Sequence, residues 1–328
     1  MKILVTGANG FIGSHLMRRL AAGGAGEVRG LVRETSDLRR LDGGGYDLCR
    51  GCLEEPLEEA VAGHDTVIHT AARSSDWGDY RDFYRVNVEG AANLARACAA
   101  AGVKRLIHLS STVVYGFSGH RLTDESAPLC PFNHPYCRTK AAAEAELLGF
   151  RDRFHLTILR PANVYGPGDL SFTYPLFTAL GKGMPAFPAG GRRLTSPCAV
   201  ENLSAAVERA LEADFPSGEA FNVSDGADLP WRDFLALAAG ELGVKPPRFP
   251  LPVGPLRLAA ALLEKIYLSR GSAVPPPITP YRIAQAARDY SFSVEKAKQV
   301  LGYAPELSTA RALRQAAEWF RGLKARPR

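Results

Sequence analysis

The chain opens on a short apolar run, Ile3 to Val5, and then changes period. Ile12, Leu16, Met17 and Leu20 recur at the spacing of one helical face, so a strand feeding a helix is the first unit. The same alternation continues. Val28 to Val32 reads as a second strand and leaves through the polar loop Arg33-Glu34-Thr35-Ser36-Asp37. Tyr46 to Gly51 is a third, followed by an acidic helix start over Leu53 to Glu59. Asp65 to His69 is a fourth, running into Thr70-Ala71-Ala72. Apolar residues at 83, 86, 94 and 97 predict a helix from Tyr80 to Ala101. Leu106 to Leu109 and Thr157 to Leu159 add a fifth and a sixth strand. Strands alternating with helices predict an α/β fold, a doubly wound parallel sheet with helices on both faces. Ligands of such a sheet bind at the C-terminal ends of its strands.

The turn between the first strand and its helix is Thr6-Gly7-Ala8-Asn9-Gly10-Phe11-Ile12-Gly13. Each glycine has a physical role there. Gly7 permits the tight turn, Gly10 lets the backbone approach a pyrophosphate, and Gly13 lets the helix pack against the strand. The helix N-terminus then aims free N–H groups at the phosphates. This predicts a Rossmann dinucleotide-binding unit over residues 1–165. Beyond it the alternation breaks and Pro167, Pro175, Pro185, Pro188, Gly190 and Gly191 crowd the chain. Residues 166–328 are therefore expected to form a smaller, mostly C-terminal substrate-binding region, with a segment at about 195–225 returning to the sheet.

Composition narrows the classes. Apolar residues make up 46% of the 328, enough for a sizeable core. The chain enters a strand at once, without a basic and then apolar leader. No stretch is apolar enough to span a bilayer; Leu251 to Leu268 comes nearest, interrupted by Arg257, Glu264 and Lys265. A cytoplasmic location is expected. The net charge of +6 is spread along the chain, with a mild cluster at Arg321, Lys324, Arg326 and Arg328. Without a basic helix or aromatic-interleaved basic run, nucleic acid is not an expected partner, and the excess suits an anionic cofactor. Cys49 and Cys52 form a single CxxC with no second pair, so no metal site is expected.

Two further stretches carry candidate chemistry. Tyr136 and Lys140 lie four apart at the head of a helix pattern, hence on one face. A nearby ammonium favours tyrosinate, which is expected to lower the phenol pKa and make Tyr136 an acid/base near neutrality. Ser110, Ser111 and Thr112 end the fifth strand, where a hydroxyl can meet a substrate carbonyl.

Taken in order over residues 3 to 168, these segments resemble the extended short-chain dehydrogenase/reductase family, also called the NAD-dependent epimerase/dehydratase family. Asp65 to Ala72, Asn87-Val88-Glu89-Gly90, Ser110 to Gly116, Tyr136 to Lys140 and Arg160 to Pro167 carry the likeness together with the glycine turn. The resemblance implies Ser111 as the catalytic hydroxyl, Tyr136 as acid/base and Lys140 as its electrostatic partner and nicotinamide-ribose ligand. Asn87 is implied as the helix residue supporting them, and His69 as a structural histidine. It also implies that Phe11, Ile12, Ala71, Ala72, Pro161, Asn163 and Val164 line an NAD(P) cofactor. Homodimerisation through the helices bearing Asn87 and Lys140 is implied too, across Ala91, Ala92, Ala95, Ala99, Ala142 and Ala145.

Two positions depart from the family pattern. NAD-specific members end the second strand on an acid; this chain has Val32 and then Arg33, which favours NADP(H) over NAD(H) because a guanidinium can pair with a 2′-phosphate. An Asp before Leu, contacting adenine, is replaced by Cys52-Leu53. Within the family, Leu31 to Asp37, Asp76 to Asn87 and Arg288 to Tyr303 are similar to 3β-hydroxysteroid dehydrogenase-like and dihydroflavonol reductase-like members. That implies an alcohol/ketone interconversion on an apolar, steroid-like or isoprenoid-like small molecule, lined by Trp77, Phe117, Phe172, Tyr174 and Phe177. A nucleotide-sugar epimerase or dehydratase, using Arg192 or Arg193 for phosphate, is the alternative; a non-catalytic cofactor sensor is a third reading that has no need of Ser111, Tyr136 and Lys140.

Overall fold

The structure is a computed structural model that describes residues 1–184 and 186–325; Pro185, and Arg326 and Arg328 of the basic cluster, lie outside the described residues. Seven parallel strands make the central sheet. They include β1 (Lys2–Thr6), β2 (Glu27–Val32), β3 (Asp47–Arg50), β4 (Thr66–His69) and β5 (Arg105–Leu109). The His155–Pro161 strand pairs with β5, and the Glu219–Val223 strand pairs with it in turn. From one edge the order is Glu219–Val223, His155–Pro161, β5, β4, β1, β2, β3. The order reverses beside β1, which opens a crevice above the strand ends where the glycine turn lies.

Both faces of the sheet are covered. On one, Leu16, Met17 and Leu20 pack with Leu203, Ala206, Val207 and Ala210 of the Val200–Glu212 helix. On the other, Ala91, Leu94, Ala95 and Cys98 meet Ala143 and Leu147. The 195–225 segment thus contributes a covering helix and an edge strand.

Two elements differ from expectation. The helix expected from Leu53 is a single turn, Glu58–Val61. Pro56 interrupts the run, and residues 52–55 instead form a turn closed by the Glu55 N–H on the Cys52 carbonyl. The helix expected from Tyr80 to Ala101 is continuous but contains a π-helical turn, Arg85–Glu89, between its α-helical parts Tyr80–Tyr84 and Gly90–Ala101. The widened turn buries Asn87.

The remainder of the chain builds a second layer over the strand ends. His120–Thr123, Leu194–Thr195, Leu229–Pro230 and Tyr290–Phe292 form a four-stranded sheet, so a loop from the first half pairs with the C-terminal part. Phe177, Leu180, Trp231, Phe234, Leu313 and Phe320 close a separate helical cluster.

Candidate active site

At the mouth of β1 the sequence removes side chains so that backbone can serve. Gly7 has φ +67°, and a Cβ there would stand 2.8 Å from the Ala71 Cα; at Gly13 it would stand 2.2 Å from the Gly7 carbonyl oxygen. A side chain at either position would close the turn. Gly10 is the N-cap of the Phe11–Ala22 helix, with no side-chain cap and no acid in the first turn. Free N–H groups and the positive helix end therefore face the crevice, and these residues fit a dinucleotide pyrophosphate. The Thr6 hydroxyl accepts from the Ala71 N–H at 3.3 Å and meets His69 Nδ1 at 2.8 Å. Burial pushes the His69 pKa down to about 3, so the ring is a neutral structural clamp between β1 and β4.

The adenosine side is basic and open. Val32 is buried and Arg33 exposed. The Arg33 N–H donates to Ser36 Oγ at 3.0 Å, which leaves the Ser36 hydroxyl proton free to donate outward. Arg50, opposite Val32 in register, donates to the Arg33 carbonyl at 2.9 Å. Sequence reasoning missed Arg50, since only strand pairing brings it beside Arg33. Leu53 lies under Gly90, and Asn93 donates to the carbonyls of Leu53 and Glu55, fixing the Cys52-Leu53 loop.

The Pro135–Leu148 helix carries the reactive side chains. His134 is its N-cap, accepting the Tyr136 N–H at Nδ1, and Pro135 follows with the fixed φ suited to a first helical residue. Burial lowers the His134 pKa, which keeps that nitrogen free to accept. Tyr136 is half-buried and shares a side-chain hydrogen bond with Ser111. Lys140 is buried, and its Nζ donates to the Leu109 carbonyl at 2.6 Å. Pro161 contributes its carbonyl to the Ser111 hydroxyl at 3.4 Å. Ser111, Tyr136 and Lys140 thus converge at the end of β5. Ser110 points elsewhere, onto Glu144, which also holds Arg160 in a buried ion pair; Arg160 reaches on to the Tyr115 hydroxyl. No local pattern announces this brace, since Glu144 and Arg160 meet only through packing of the helix on the His155–Pro161 strand.

Asn87 is fully engaged. Its Oδ1 accepts the Arg73 N–H at 2.7 Å, and its Nδ2 donates to the Arg73 carbonyl and to Thr139 Oγ1, both at 3.1 Å. The π-turn therefore ties the loop after β4 to the Tyr136 helix. Asn163 is likewise engaged, by Thr195 and Gln285 at 2.7 Å each.

The expected lowering of the Tyr136 pKa does not occur. Burial raises it to about 12, and the Ser111 hydrogen bond only partly opposes this. The Lys140 ammonium is turned to the Leu109 carbonyl, and its own burial lowers its pKa to about 8. Tyr136 is accordingly held as a neutral phenol.

Beside Tyr136 lies an apolar wall of Val113, Phe117, Phe132, Tyr281 and Tyr290. The Tyr290 hydroxyl meets Thr112 at 2.8 Å. Trp77 sits nearby, its indole N–H on the Ser272 carbonyl. Phe172 and Phe177, expected as liners, belong instead to the helical cluster with Trp231 and Phe234, and Tyr174 packs on Phe320. The residues that replace them, Tyr281 and Tyr290, come from a segment whose position no local pattern announces. Of the alanines expected at a dimer face, Ala91, Ala92 and Ala95 are buried within the chain's own core; Ala99, Ala142 and Ala145 remain accessible.

A glycine turn at a switch point, facing a Ser-Tyr-Lys cluster across the strand ends, defines a Rossmann enzyme of the nicotinamide-dependent class. The chain matches the NAD dependent epimerase/dehydratase family over residues 3–224. It is 30% identical over 326 residues to the 2-alkyl-3-oxoalkanoate reductase of Stenotrophomonas maltophilia (strain K279a), covering 96% of this chain and 98% of that one. It is 28% identical over 340 residues to the human (Homo sapiens) protein named sterol-4-alpha-carboxylate 3-dehydrogenase, decarboxylating, covering 98% and 88%. The solved structure of MoeE5 with UDP-glucuronic acid and NAD superposes with a TM-score of 0.78 at 26% identity, covering 98% of this chain and all of that one. The protein belongs to the NAD-dependent epimerase/dehydratase family, and it is an enzyme.

Proposed function

We propose that this enzyme interconverts a ketone and a secondary alcohol on an apolar small molecule, with NADP(H) preferred over NAD(H). The observation that carries this reading is the convergence of Ser111, Tyr136 and Lys140 at the end of β5, against the wall of Phe117, Phe132 and Tyr281. The bound nicotinamide supplies or accepts a hydride at the substrate carbon. Ser111 and the Tyr136 hydroxyl hold the substrate oxygen, and Tyr136 gives that oxygen its proton in reduction. A phenol with a pKa near 12 keeps its proton at neutral pH, so Tyr136 enters the reductive step as the proton donor. Tyr136 is left as a tyrosinate, and the Lys140 ammonium one helical turn on would offset that negative charge until the phenol is reprotonated. Asn87 acts as a positioning residue, holding the Tyr136 helix through Thr139. Residues 1–165 with the returning 195–225 segment serve the cofactor, and the rest of the 166–328 region serves the substrate.

The named relatives sharpen the substrate class. One is named for a 3-oxo group beside a 2-alkyl carbon of an alkanoate, the other for position 3 of a sterol bearing a 4-carboxylate. Both names place the reacting oxygen β to a carboxylate on an apolar skeleton. We infer the same here. For the cofactor, Val32 offers no carboxylate against a 2′-phosphate, while Arg33 and the free Ser36 proton offer donors. Assembly as a homodimer rests on the reduced face of Ala99, Ala142 and Ala145; light scattering that finds only a monomer at micromolar concentration removes that part.

A nucleotide-sugar reading has one observation in its favour, a cavity of about 190 Å³ lined by Arg192, Arg232 and Arg248 with Phe187 and Phe249. Steady-state assays separate the two. Oxidation of NADPH on adding long-chain β-keto acids is expected, with no conversion of UDP-glucose or UDP-glucuronic acid; the reverse pattern overturns the proposal.

A further inference from the structure

The Val253–Ser269 helix is the stretch that came nearest to a spanning segment, and the function described above leaves it unused. Only Ala260 of its residues is buried. Leu258 is 75% exposed, Leu262 61% and Leu268 62%. The strand that leads in adds Phe249 and Leu251, and the loop that leads out adds Val274, all exposed. Scattered exposed leucines are ordinary, but a run of them along one helix marks an interaction surface. At 17 residues the helix is roughly 25 Å long by its rise per residue. No helix among the described residues is long and apolar enough to cross a membrane.

The charge around this helix points to its occupant. Between residues 243 and 278 stand Lys245, Arg248, Arg257, Lys265 and Arg270 against one acid, Glu264. All five cations are exposed, and none forms an ion pair with a carboxylate among the described residues. A second copy of the chain on this face would bring like cations together. An anionic lipid surface would meet them with phosphates while the leucines enter the acyl boundary.

The helix also stands on the substrate side of the molecule. The loop after it is tied to the Trp77 indole through Ser272. Asp76 accepts from Thr279 and pairs with Arg282. Tyr281, between them, lies with its ring 4.6 Å from that of His134, the cap of the Tyr136 helix. We propose that the Val253–Ser269 helix lies in the interface of an anionic membrane, with Leu258 and Leu262 inserted and Arg257, Lys265 and Arg270 on phosphate. The enzyme would thereby face the phase in which an apolar substrate is dissolved; that consequence rests on the reading of the substrate, whereas membrane binding itself does not.

The experiment is co-sedimentation of the full chain with phosphatidylcholine vesicles, with and without phosphatidylglycerol. Binding is expected only with the anionic lipid, falling as salt rises. Leu258→Glu with Leu262→Glu should weaken it by at least about tenfold, from the lost burial of two leucines. Arg257→Gln and Lys265→Gln should each weaken it about fivefold. NADPH affinity and turnover of a water-soluble ketone should stay unchanged in all of them, which separates loss of membrane binding from loss of the active site. Equal, weak sedimentation with both vesicle types overturns the proposal, as does undiminished binding by the leucine variant. A lipid-free dimer that the leucine variant dissociates overturns it too, by giving the face to a second copy.

Discussion

The glycine turn and the Tyr136 helix both lie at the strand ends and, in the proposed function, serve by opposite means. The turn excludes side chains: Gly7 and Gly13 leave no room for a Cβ, so only backbone N–H groups are presented there. The helix does the reverse, burying a phenol and an ammonium at an energetic disadvantage, which pushes the Tyr136 pKa up to about 12 and the Lys140 pKa down to about 8. Ligand recognition by backbone can be built into a stable turn. Acid/base chemistry here requires groups that the fold would be more stable without.

That contrast can be broken at several points. The largest stability effect is expected at the brace of the Tyr136 helix. Arg160→Met leaves the Glu144 carboxylate buried and unpaired, which should lower unfolding free energy by about 3–5 kcal/mol. Denaturant unfolding checks it, and a loss below about 1 kcal/mol would show that the pair is not a brace.

Lys140→Met should move stability and activity in opposite directions. A folded pKa of about 8 against the ordinary 10.5 means that the buried ammonium destabilises the fold by about 3 kcal/mol at neutral pH. The unpaired Leu109 carbonyl offsets about 1–2 kcal/mol of the gain on removal. A net rise of about 1–2 kcal/mol is expected, with activity lost. The pH dependence follows in sign. The unfolded chain holds more protons than the folded one between about pH 8 and 10.5, so the wild type should gain stability as pH rises through that window. The Met variant should lack that rise. In activity, kcat/KM for reduction should fall as pH passes about 8 and Lys140 loses its charge.

The smallest effect concerns the adenosine side. Arg33→Ala should reduce the preference for NADPH over NADH by about tenfold, since a charge-assisted bond contributes ~1.5–3 kcal/mol. Paired dissociation constants measure it. Tighter NADH binding by the wild type, or an unchanged ratio in the variant, removes the phosphate reading.

The two regions also differ in how far the sequence reveals them. The turn is local: strand, glycine spacing and helix lie within residues 2–22, and the structure has them in that order. That Tyr136, Lys140 and Ser111 meet at the end of β5 was legible from two short patterns, Tyr136 to Lys140 at a helix start and Ser110 to Thr112 at a strand end. What surrounds them was not. Asn87 is turned inward by a π-turn that an ordinary helical period conceals. The apolar wall depends on Tyr281 and Tyr290, more than a hundred residues from Tyr136 and brought in by pairing of Tyr290–Phe292 with His120–Thr123. Phe172 and Phe177 look like equally good liners in sequence, but they pack into a different cluster. The direction of the Tyr136 shift was misjudged because spacing alone does not show that Lys140 donates to Leu109.

The central claim is that Tyr136 delivers the proton in a cradle that holds the cofactor independently of it. Tyr136→Phe removes one hydroxyl, so the most direct test is single-turnover oxidation of bound NADPH by a β-keto acid in the wild type and in this variant, alongside NADPH dissociation constants. The account predicts a rate loss of ~10²–10⁴ with cofactor affinity unchanged. A rate within a few-fold of the wild type would contradict it.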